Sequence, residues 1–264
     1  MKSITLAPTY WASVSGGKDS LFMLNYILHN LDKYPLDGVI HFDLDIDYPF
    51  VKDVVSFMRE RCLSLRIPFV IVPTSNTWEE LYYKKYNNGS IYGFPSRRAR
   101  WCNSRYKLSA LRNFNDYKKS LGYNVYYYIG YCYDEFKRYN KRVSPFERFP
   151  LVEAKIYEDT ILKWAQHQPI FNDYYKYNKR CGCMYCPMAS MVNFAYLYKY
   201  YPDNFNYMID KMRETEKIRF YELGRPYSCI SSNPKYNADY LEHIVKTKYV
   251  HYLDNTFTQL SFID

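Results

Sequence analysis

The chain has 264 residues and a formal net charge of +9, from 36 basic and 27 acidic side chains. This length suffices for one large α/β core with a smaller appendage. No apolar run approaches the ~20 residues that a membrane-spanning helix needs, and the amino terminus lacks the long apolar region of a signal peptide. We therefore expect a soluble cytoplasmic protein without a membrane partner, and the positive charge favours an anionic ligand.

Strand and helix patterns alternate up to Pro150 in the order typical of a parallel sheet covered on both faces. The predicted strands are 10–14, 38–46, 69–73 and 125–131, and the predicted helices are 21–30, 50–65, 78–86 and, capped by Ser104, 104–115. Beyond Pro150 the pattern is mostly helical, although no linker marks a boundary. The sequence predicts a three-layer α/β/α nucleotide-binding domain with a mostly parallel sheet over residues 1–150. A smaller helical part over 151–264 carries a cysteine site.

A glycine-rich turn separates the first predicted strand from the first predicted helix. A helix that starts at such a turn presents backbone N–H groups at its positive end, which suits a phosphate. The glycines permit a tight turn, the serines supply hydroxyl donors and Lys18 adds a positive charge. A capping serine beside a glycine turn would explain any one of these residues but not the whole set. The predicted nucleotide-binding residues here are Ser15, Gly16, Gly17, Lys18, Asp19 and Ser20.

The order Ser-Gly-Gly-Lys-Asp-Ser between a strand and a helix resembles the S-G-G-x-D-S loop of the PP-loop ATP pyrophosphatase superfamily. The spacing of a Walker loop is absent. The resemblance implies an adenine nucleotide α-hydrolase-like fold. It also implies a loop that holds the β- and γ-phosphates of ATP, which such enzymes usually split into AMP and pyrophosphate.

Three aspartates end the second predicted strand, at Asp43, Asp45 and Asp47. Strand alternation would place them on one face, where they repel each other unless a cation or hydrogen-bond donors lie nearby. A magnesium ion held partly by phosphates would relieve this repulsion. The alternative is an acidic strand edge in solvent.

A narrower resemblance, to the phosphoadenosine phosphosulfate (PAPS) reductase family, rests on landmarks that occur in the family's order. Asp43 to Pro49 matches the family's D-T-G-x-x-(F/Y)-P segment, and Cys102 followed by Lys107 matches its cysteine-then-lysine helix. Gly130 with Asp134 and Glu135 matches its G-x-R-x-D-E-S-x-x-R loop, and Pro150 to Glu153 matches its P-L-x-x-W segment. The resemblance implies that Asp43 and Gly130 belong to the nucleotide site.

The chain also departs from that family. Asp45 replaces the glycine of D-T-G, and 131–133 lacks the arginine of G-x-R. The family's carboxyl-terminal E-C-G-x-H segment is represented only by Cys229, with neither the glutamate nor the histidine beside it. A thiol-dependent reductase of adenosine phosphosulfate or PAPS that uses Cys229 therefore remains an alternative rather than the main hypothesis.

The cysteines predict a second site. Cys181, Cys183 and Cys186 are close together beside glycine and proline, which favours a metal or cluster site over core packing. In cluster-bearing members of the resembled family a cysteine pair precedes the lysine helix and a C-x-x-C follows later, a layout that Cys102, Cys183 and Cys186 match. Trp101 stands where the first cysteine of the pair would be, which leaves Cys181 to complete the set. Four thiolates suit a four-iron four-sulfur cluster, which we favour, or structural Zn²⁺. Cys62 lies on the second predicted helix and Cys132 is assigned to the fourth predicted strand, so core packing is the better account of both.

Basic residues form two clusters with no acidic residue among their members, whereas a solvated surface usually mixes charges of both signs. They are Arg97, Arg98, Arg100, Arg105, Lys107 and Arg112, and then Lys137, Arg138, Lys141 and Arg142. The predicted contacts to an anionic substrate are Arg97, Arg98, Arg100, Lys107 and Arg138. Tyrosine between basic residues can stack nucleic-acid bases, although the 33 tyrosines are spread evenly and compositional drift explains them as well.

These observations favour an enzyme that uses ATP with Mg²⁺ for adenylyl transfer and pyrophosphate release, with Lys18, Asp19 and Asp43 as catalytic residues. Sulfur would then pass to an acceptor such as a nucleic acid, with a sulfur-carrier protein as a further partner. Besides the reductase, a non-catalytic nucleotide-binding protein with structural zinc remains open. Pyrophosphate release from ATP separates the enzyme from the binding protein.

Overall fold

The computed structural model describes residues 6–141 and 144–253, so Arg142 of the second basic cluster lies outside the described residues. The chain divides into two compact units. Unit 1 comprises Met1–Ser75, Lys107–Tyr175 and Lys179–Cys181, and unit 2 comprises Asn76–Tyr106, Lys176–Asn178 and Gly182–Asp264. This division differs from the predicted boundary at residue 150. One reason is that Trp164 packs edge-on against Phe22, with ring centroids 5.2 Å apart, and so keeps a later helix with the first unit.

Unit 1 is built on a five-stranded, entirely parallel sheet. Its strands are β1 (Ala7–Val14), β2 (Gly38–Asp43), β3 (Phe69–Pro73), β4 (Tyr123–Tyr128) and β5 (Glu147–Arg148), in the order β3-β2-β1-β4-β5. The chain therefore runs outward from β1 to β3 and then returns past β1 to β4.

Helices connect the strands and form most of the remaining structure. They are α1 (Lys18–Leu28), α2 (Pro49–Ser64), α3 (Trp78–Tyr83), α4 (Leu108–Ser120), α5 (Phe136–Tyr139), α6 (Pro150–Glu153), α7 (Glu158–Gln166), α8 (Tyr174–Tyr177), α9 (Met191–Tyr200), α10 (Pro202–Leu223) and α11 (Ala238–Ile244). A 3₁₀ turn spans Pro169–Phe171, and π-helical turns span Cys102–Lys107 and Val245–Tyr249.

Helices cover both faces of the sheet, which confirms the predicted three-layer α/β/α fold. Parallel crossovers are right-handed, so the reversal of direction after β3 places α4 on the face opposite α1 and α2. On that face Phe114 of α4 meets Trp11 of β1 edge-on at 5.0 Å between ring centroids. Ile40, Val125 and Tyr127 complete this buried cluster. Edge-to-face aromatic packing of this kind adds to the area that burial removes from water.

Two predicted elements differ from the structure. The strand predicted to reach residue 46 ends at Asp43, because residues 44–47 form a turn that leads to Pro49 at the start of α2. Ser104 does not cap a helix. The π-helical turn begins before it, and the Arg100 carbonyl accepts from the amides of both Asn103 and Ser104.

Unit 2 is mainly helical, as the sequence predicts for most of the carboxyl-terminal part. Capping boxes fix the start of α3, at Thr77 with Glu80, and the start of α9, at Ser190 with Asn193. The long α10 packs against both α9 and α11. Within residues 6–141 and 144–253, none of the helices is both long and apolar enough to cross a lipid bilayer.

Candidate nucleotide site in unit 1

The strand order locates a ligand site. Ligands of open parallel sheets bind beyond the carboxyl ends of the strands, where neighbouring connections leave in opposite directions. In unit 1 this point lies between β1 and β4. Ser15–Ser20, which we call the glycine loop, follows β1, and the segment 129–135 follows β4. A Cβ on Gly130 would lie 2.9 Å from the Asp19 carbonyl oxygen, so the two segments are packed directly together.

The glycine loop has the tight geometry that its sequence predicts. Gly16 has φ +74°, and a Cβ there would lie 2.5 Å from Cγ1 of Val51 on α2. The Ser20 hydroxyl donates to the Gly17 carbonyl at 2.9 Å and accepts from the Ser15 amide at 3.2 Å. The buried Ser20 side chain thus stabilises the turn, whereas Ser15 is exposed.

The backbone amides of this loop are the main anion-binding feature. The Lys18 amide donates to the hydroxyl of Tyr175 at 2.8 Å. Within the part of the chain that the structure describes, the amides of Gly16, Gly17, Asp19 and Ser20 make no hydrogen bond. Amide donors at the start of an eleven-residue helix, added to the positive end of its dipole, suit a phosphate group.

The side chain of Lys18 is buried, at 1% exposure. Its Nζ lies 2.6 Å from Oδ1 of Asp19 and 3.5 Å from Oε1 of Glu158. The thiol of Cys132 donates to the same Asp19 oxygen at 3.6 Å. Burial raises the pKa of Asp19, while the Lys18 ammonium opposes that shift. In this arrangement Lys18 and Asp19 neutralise each other, and their predicted roles toward phosphate and metal remain predictions.

Glu135 is the buried centre of a second set of charges. Its Oε2 accepts from the Cys132 amide at 3.1 Å, and its Oε1 accepts from Arg138 at 2.5 Å and from Arg180 at 2.9 Å. Arg180 also contacts Glu158 at 3.3 Å. Both guanidinium groups stay about half exposed, at 48% and 56%. Each guanidinium has five N–H donors, so the anchored arginines retain donors for an anionic ligand.

Sequence reasoning missed three of these residues. Arg180 directly precedes the cysteine run, and that position was the only signal for it in the sequence. Glu158 lies in the first turn of α7, and nothing in its local pattern separates it from a surface acid. Tyr175 is one of 33 tyrosines, so its role at the start of α1 depends on tertiary packing.

The acidic segment does not form the face that strand alternation predicts, because β2 ends at Asp43. Asp43 and Asp45 are exposed, and Asp47 is partly buried. The pKa of Asp47 is raised to about 7, mainly by burial and partly by the neighbouring carboxylates, while the charge of Lys107 opposes the rise. Asp43, at the carboxyl end of its strand, is the residue of this segment best placed to meet a ligand of the sheet.

The predicted thiolate ligands are distributed over both units. Cys102, Cys183 and Cys186 belong to unit 2, whereas Cys181 belongs to unit 1 and its Cβ lies 3.8 Å from the position of a Cβ on Gly17. Burial raises the pKa of Cys181 to about 12. Across residues 6–141 and 144–253, no group of three or more His, Cys, Asp or Glu side chains is placed to hold a metal ion. The four-thiolate centre therefore remains a prediction.

The two cysteines assigned to core packing are both buried. Cys62 lies on α2 with no exposed surface. Cys132 is also fully buried, but it lies after β4 rather than in it, beside the Asp19 carboxylate. Its prediction as a strand residue is wrong because β4 ends at Tyr128, where the turn toward α5 begins.

The predicted anion contacts belong to different units. Arg97, Arg98 and Arg100 are exposed in unit 2, before the π-helical turn. Lys107 is an exposed residue of unit 1 whose charge acts on Asp47. Arg138 is held by Glu135, and its guanidinium lies over the ring of Tyr131 at 4.6 Å.

Comparisons with known proteins give a distant relationship. No family model matches the chain. It is 28% identical over 216 residues to the uncharacterized protein MJ0973 of Methanocaldococcus jannaschii, a match that covers 76% of this chain. The chain spans about half the length of that relative, 47%. Among solved structures it is similar to the U34-tRNA thiolase NcsA from Methanococcus maripaludis with its [4Fe-4S] cluster. The TM-score is 0.38, the identity is 15%, and the match covers 87% of this chain and 76% of that one.

Gly16→Ala is expected to destabilise unit 1 by more than 2 kcal/mol, because the substitution adds a steric clash with Val51 to the strain of a positive φ. Gly122→Ala is the matched control, since Gly122 has φ +89° with nothing within 4 Å of its added Cβ and carries only the conformational cost of about 1 kcal/mol. Urea unfolding measures both. Equal losses would show that the contact with Val51 is unimportant.

Stability around neutral pH is expected to depend on Asp47. Because its native pKa is raised to about 7, the folded chain holds a proton there that the unfolded chain has lost, and stability falls as pH rises from 5 to 8. Asp47→Asn removes this loss and should gain about 2 kcal/mol over wild type between those pH values. Thermal unfolding at each pH gives the comparison, with the exposed Asp53→Asn as control. An unchanged pH profile would contradict the raised pKa.

Proposed function

We propose that the chain is an ATP-using enzyme that transfers an adenylyl group, releases pyrophosphate and passes sulfur to an acceptor such as a nucleic acid. The observation that carries this proposal is the set of four unbonded amides in the glycine loop, at the start of α1 and at the switch point of a parallel sheet. Backbone donors fixed in a tight turn bind a polyphosphate without reorganisation, and this requirement explains the two consecutive glycines.

The arginines beside the loop supply the positive charge that the proposed reaction needs. Arg138 and Arg180 are both anchored on the buried carboxylate of Glu135, which ends the segment that packs against the glycine loop through Gly130. Charge on the transferring phosphoryl oxygens is stabilised most by such preorganised donors. Arg180 thereby provides a guanidinium at a segment that lacks the arginine of the resembled G-x-R pattern.

The proposed chemistry has two steps. An acceptor oxygen attacks the α-phosphorus of ATP, a new oxygen–phosphorus bond forms, and the bond to the bridging oxygen breaks as pyrophosphate leaves with its electron pair. A sulfide-level nucleophile such as hydrosulfide then attacks the activated carbon and forms a carbon–sulfur bond. The acceptor's carbon–oxygen bond breaks, AMP leaves with the electron pair, and the proton of the hydrosulfide passes to water. The glycine loop binds the leaving pyrophosphate. Gly130 has no side chain, so its segment can pack directly against the first turn of α1.

Magnesium would accompany the nucleotide, and Asp43 fits it better than Asp19. Within the described residues Asp43 makes no ion pair and is exposed at the end of β2. Oδ1 of Asp19 is held by Lys18 and Cys132. Carboxylates with solvent access are the usual protein ligands of Mg²⁺ on phosphates. The ion would neutralise charge on the phosphates.

The reductase alternative is disfavoured by the position of Cys229. Its side chain is 1% exposed, its Sγ lies 3.9 Å from the Met212 carbonyl oxygen, and burial raises its thiol pKa well above the ordinary value. A nucleophilic cysteine needs access and a lowered pKa. The adenylyl-transfer proposal therefore does not use Cys229.

Arg180→Ala is expected to lower anaerobic pyrophosphate release from labelled ATP by about 10- to 100-fold, because it removes a charge-assisted donor at the phosphates. Lys179→Ala is the matched control, an exposed cation one residue away, and should leave the rate within about twofold. Wild-type protein that releases no pyrophosphate with any acceptor, yet binds ATP by calorimetry, would favour a non-catalytic nucleotide-binding protein.

Measuring the iron, sulfide and zinc content of the purified protein tests the predicted thiolate centre. We expect anaerobically purified protein to contain iron and acid-labile sulfide, and Cys186→Ser to lose most of both because thiolates are the ligands of such clusters. Cys62→Ala, a buried cysteine on α2, is the control and should retain them. Zinc without sulfide would instead identify a structural zinc site. Protein with neither metal would contradict the centre.

A further inference from the structure

We infer that an open groove within unit 2 binds a single-stranded polynucleotide. This inference rests on the proposed function and deepens it, since it assigns the acceptor's chemical class and names its binding residues. The groove has a volume of about 660 Å³ and lies between residues 85–92 and the start of the π-helical turn. All its lining residues belong to unit 2.

The groove walls are locally fixed. A bridge between Lys85 and Ile91 closes the first wall, with the Tyr86 amide donating to the Ser90 carbonyl at 2.8 Å. Arg219 of α10 donates to the Ile91 carbonyl at 2.7 Å and to the Tyr92 carbonyl at 3.1 Å. The backbone of this wall is therefore held in place before any ligand binds, which lowers the entropic cost of binding.

Aromatic rings form a ladder from this groove into the core of unit 2. Tyr86 is 40% exposed and packs on Tyr92 with ring centroids 4.4 Å apart. Tyr92 in turn lies 6.1 Å from Trp101, whose indole N–H donates to the Gly93 carbonyl at 2.9 Å. A ring supported from behind, with an exposed edge or face, is the arrangement on which unpaired bases stack.

The charge of the groove has one sign. Lys85, Arg100 and Arg105 line it, and none of its lining residues is acidic. Within the described residues the side chains of Lys85 and Arg100 make no ion pair or hydrogen bond, so their charge is available to a ligand. This contrasts with Arg213 on the same unit, which is paired with Asp210, Asp239 and Glu242.

Cations and rings together select one class of ligand. Phosphate binding alone would explain the cations, but it gives no use for an exposed, supported tyrosine. An acidic protein surface offers carboxylates, but it does not repeat a planar ring beside each charge as a polynucleotide does. A single-stranded polynucleotide supplies both a repeated phosphate charge and unpaired bases. The amide of Asn87, at the groove wall, adds hydrogen bonds for base edges.

Fluorescence anisotropy of the full chain with labelled 12-nucleotide RNA and DNA single strands, without ATP, tests this inference. We expect micromolar or tighter binding that weakens as salt rises. Lys85→Glu should weaken binding about tenfold and lower the slope of log Kd against log salt by about one or more. Tyr86→Ala should weaken binding fivefold or more, whereas Tyr86→Phe, which keeps the ring, should retain it.

Controls come from the same unit. Lys235→Glu and Tyr221→Ala change an exposed cation and an exposed ring that do not line the groove, and both should bind like wild type. Thermal melts show whether each variant is folded. The difference between RNA and DNA affinity identifies which polynucleotide is the ligand.

Several outcomes would overturn the inference. They are no binding by wild-type protein, equal losses in groove and control variants, or preferential displacement by a phosphopeptide. ATP calorimetry on wild-type protein separates the two proposals. A chain that binds ATP but no oligonucleotide contradicts the groove alone, and a chain that binds oligonucleotide but not ATP contradicts the proposed nucleotide function alone.

Discussion

The reversal of strand direction beside β1 is the constraint on which the nucleotide site depends. The chain runs from β1 out to β3 and returns to β4 on the other side of β1. Because right-handed crossovers place the connecting helices on opposite faces, the segments that follow β1 and β4 meet without a helix between them. The contact of Gly130 with the first turn of α1 is the direct result, and a larger side chain there would separate the two segments.

Basic and acidic side chains at the nucleotide site are paired with each other. Lys18, Arg138 and Arg180 face Asp19, Glu135 and Glu158, and the carboxyl group of Glu135 is almost fully buried. Buried ions are retained only when partners replace the water they lose. The buried members therefore fix the geometry, while the half-exposed guanidinium groups keep donors for a ligand. A site of this kind separates the residues that hold the scaffold from those that meet a substrate.

Unit 2 combines polar and aromatic groups in another way. Its core is an aromatic network that includes Trp78, Tyr82, Trp101 and Tyr207, with a buried Thr215 hydroxyl donating to Tyr82 at 3.1 Å. Tyrosine and tryptophan carry polar atoms that need partners when buried. Buried tyrosines such as Tyr82 account for part of the high tyrosine content. The evenly spread tyrosines of the sequence therefore serve the core as well as the surface groove.

Local sequence alone determined much of the fold. The third strand lies at 69–73 as predicted, the glycine loop joins a strand to a helix, and Cys62 is buried, because short-range apolar periodicity and glycine conformation control these features. Tertiary structure decided that Lys18 is buried against Asp19 and Glu158, that Tyr175 bonds the start of α1, and that Cys181 lies beside Gly17. It also decided that Arg180 reaches Glu135. These contacts join residues far apart along the chain, and their partners depend on strand order and on the burial of charge, which no local pattern encodes.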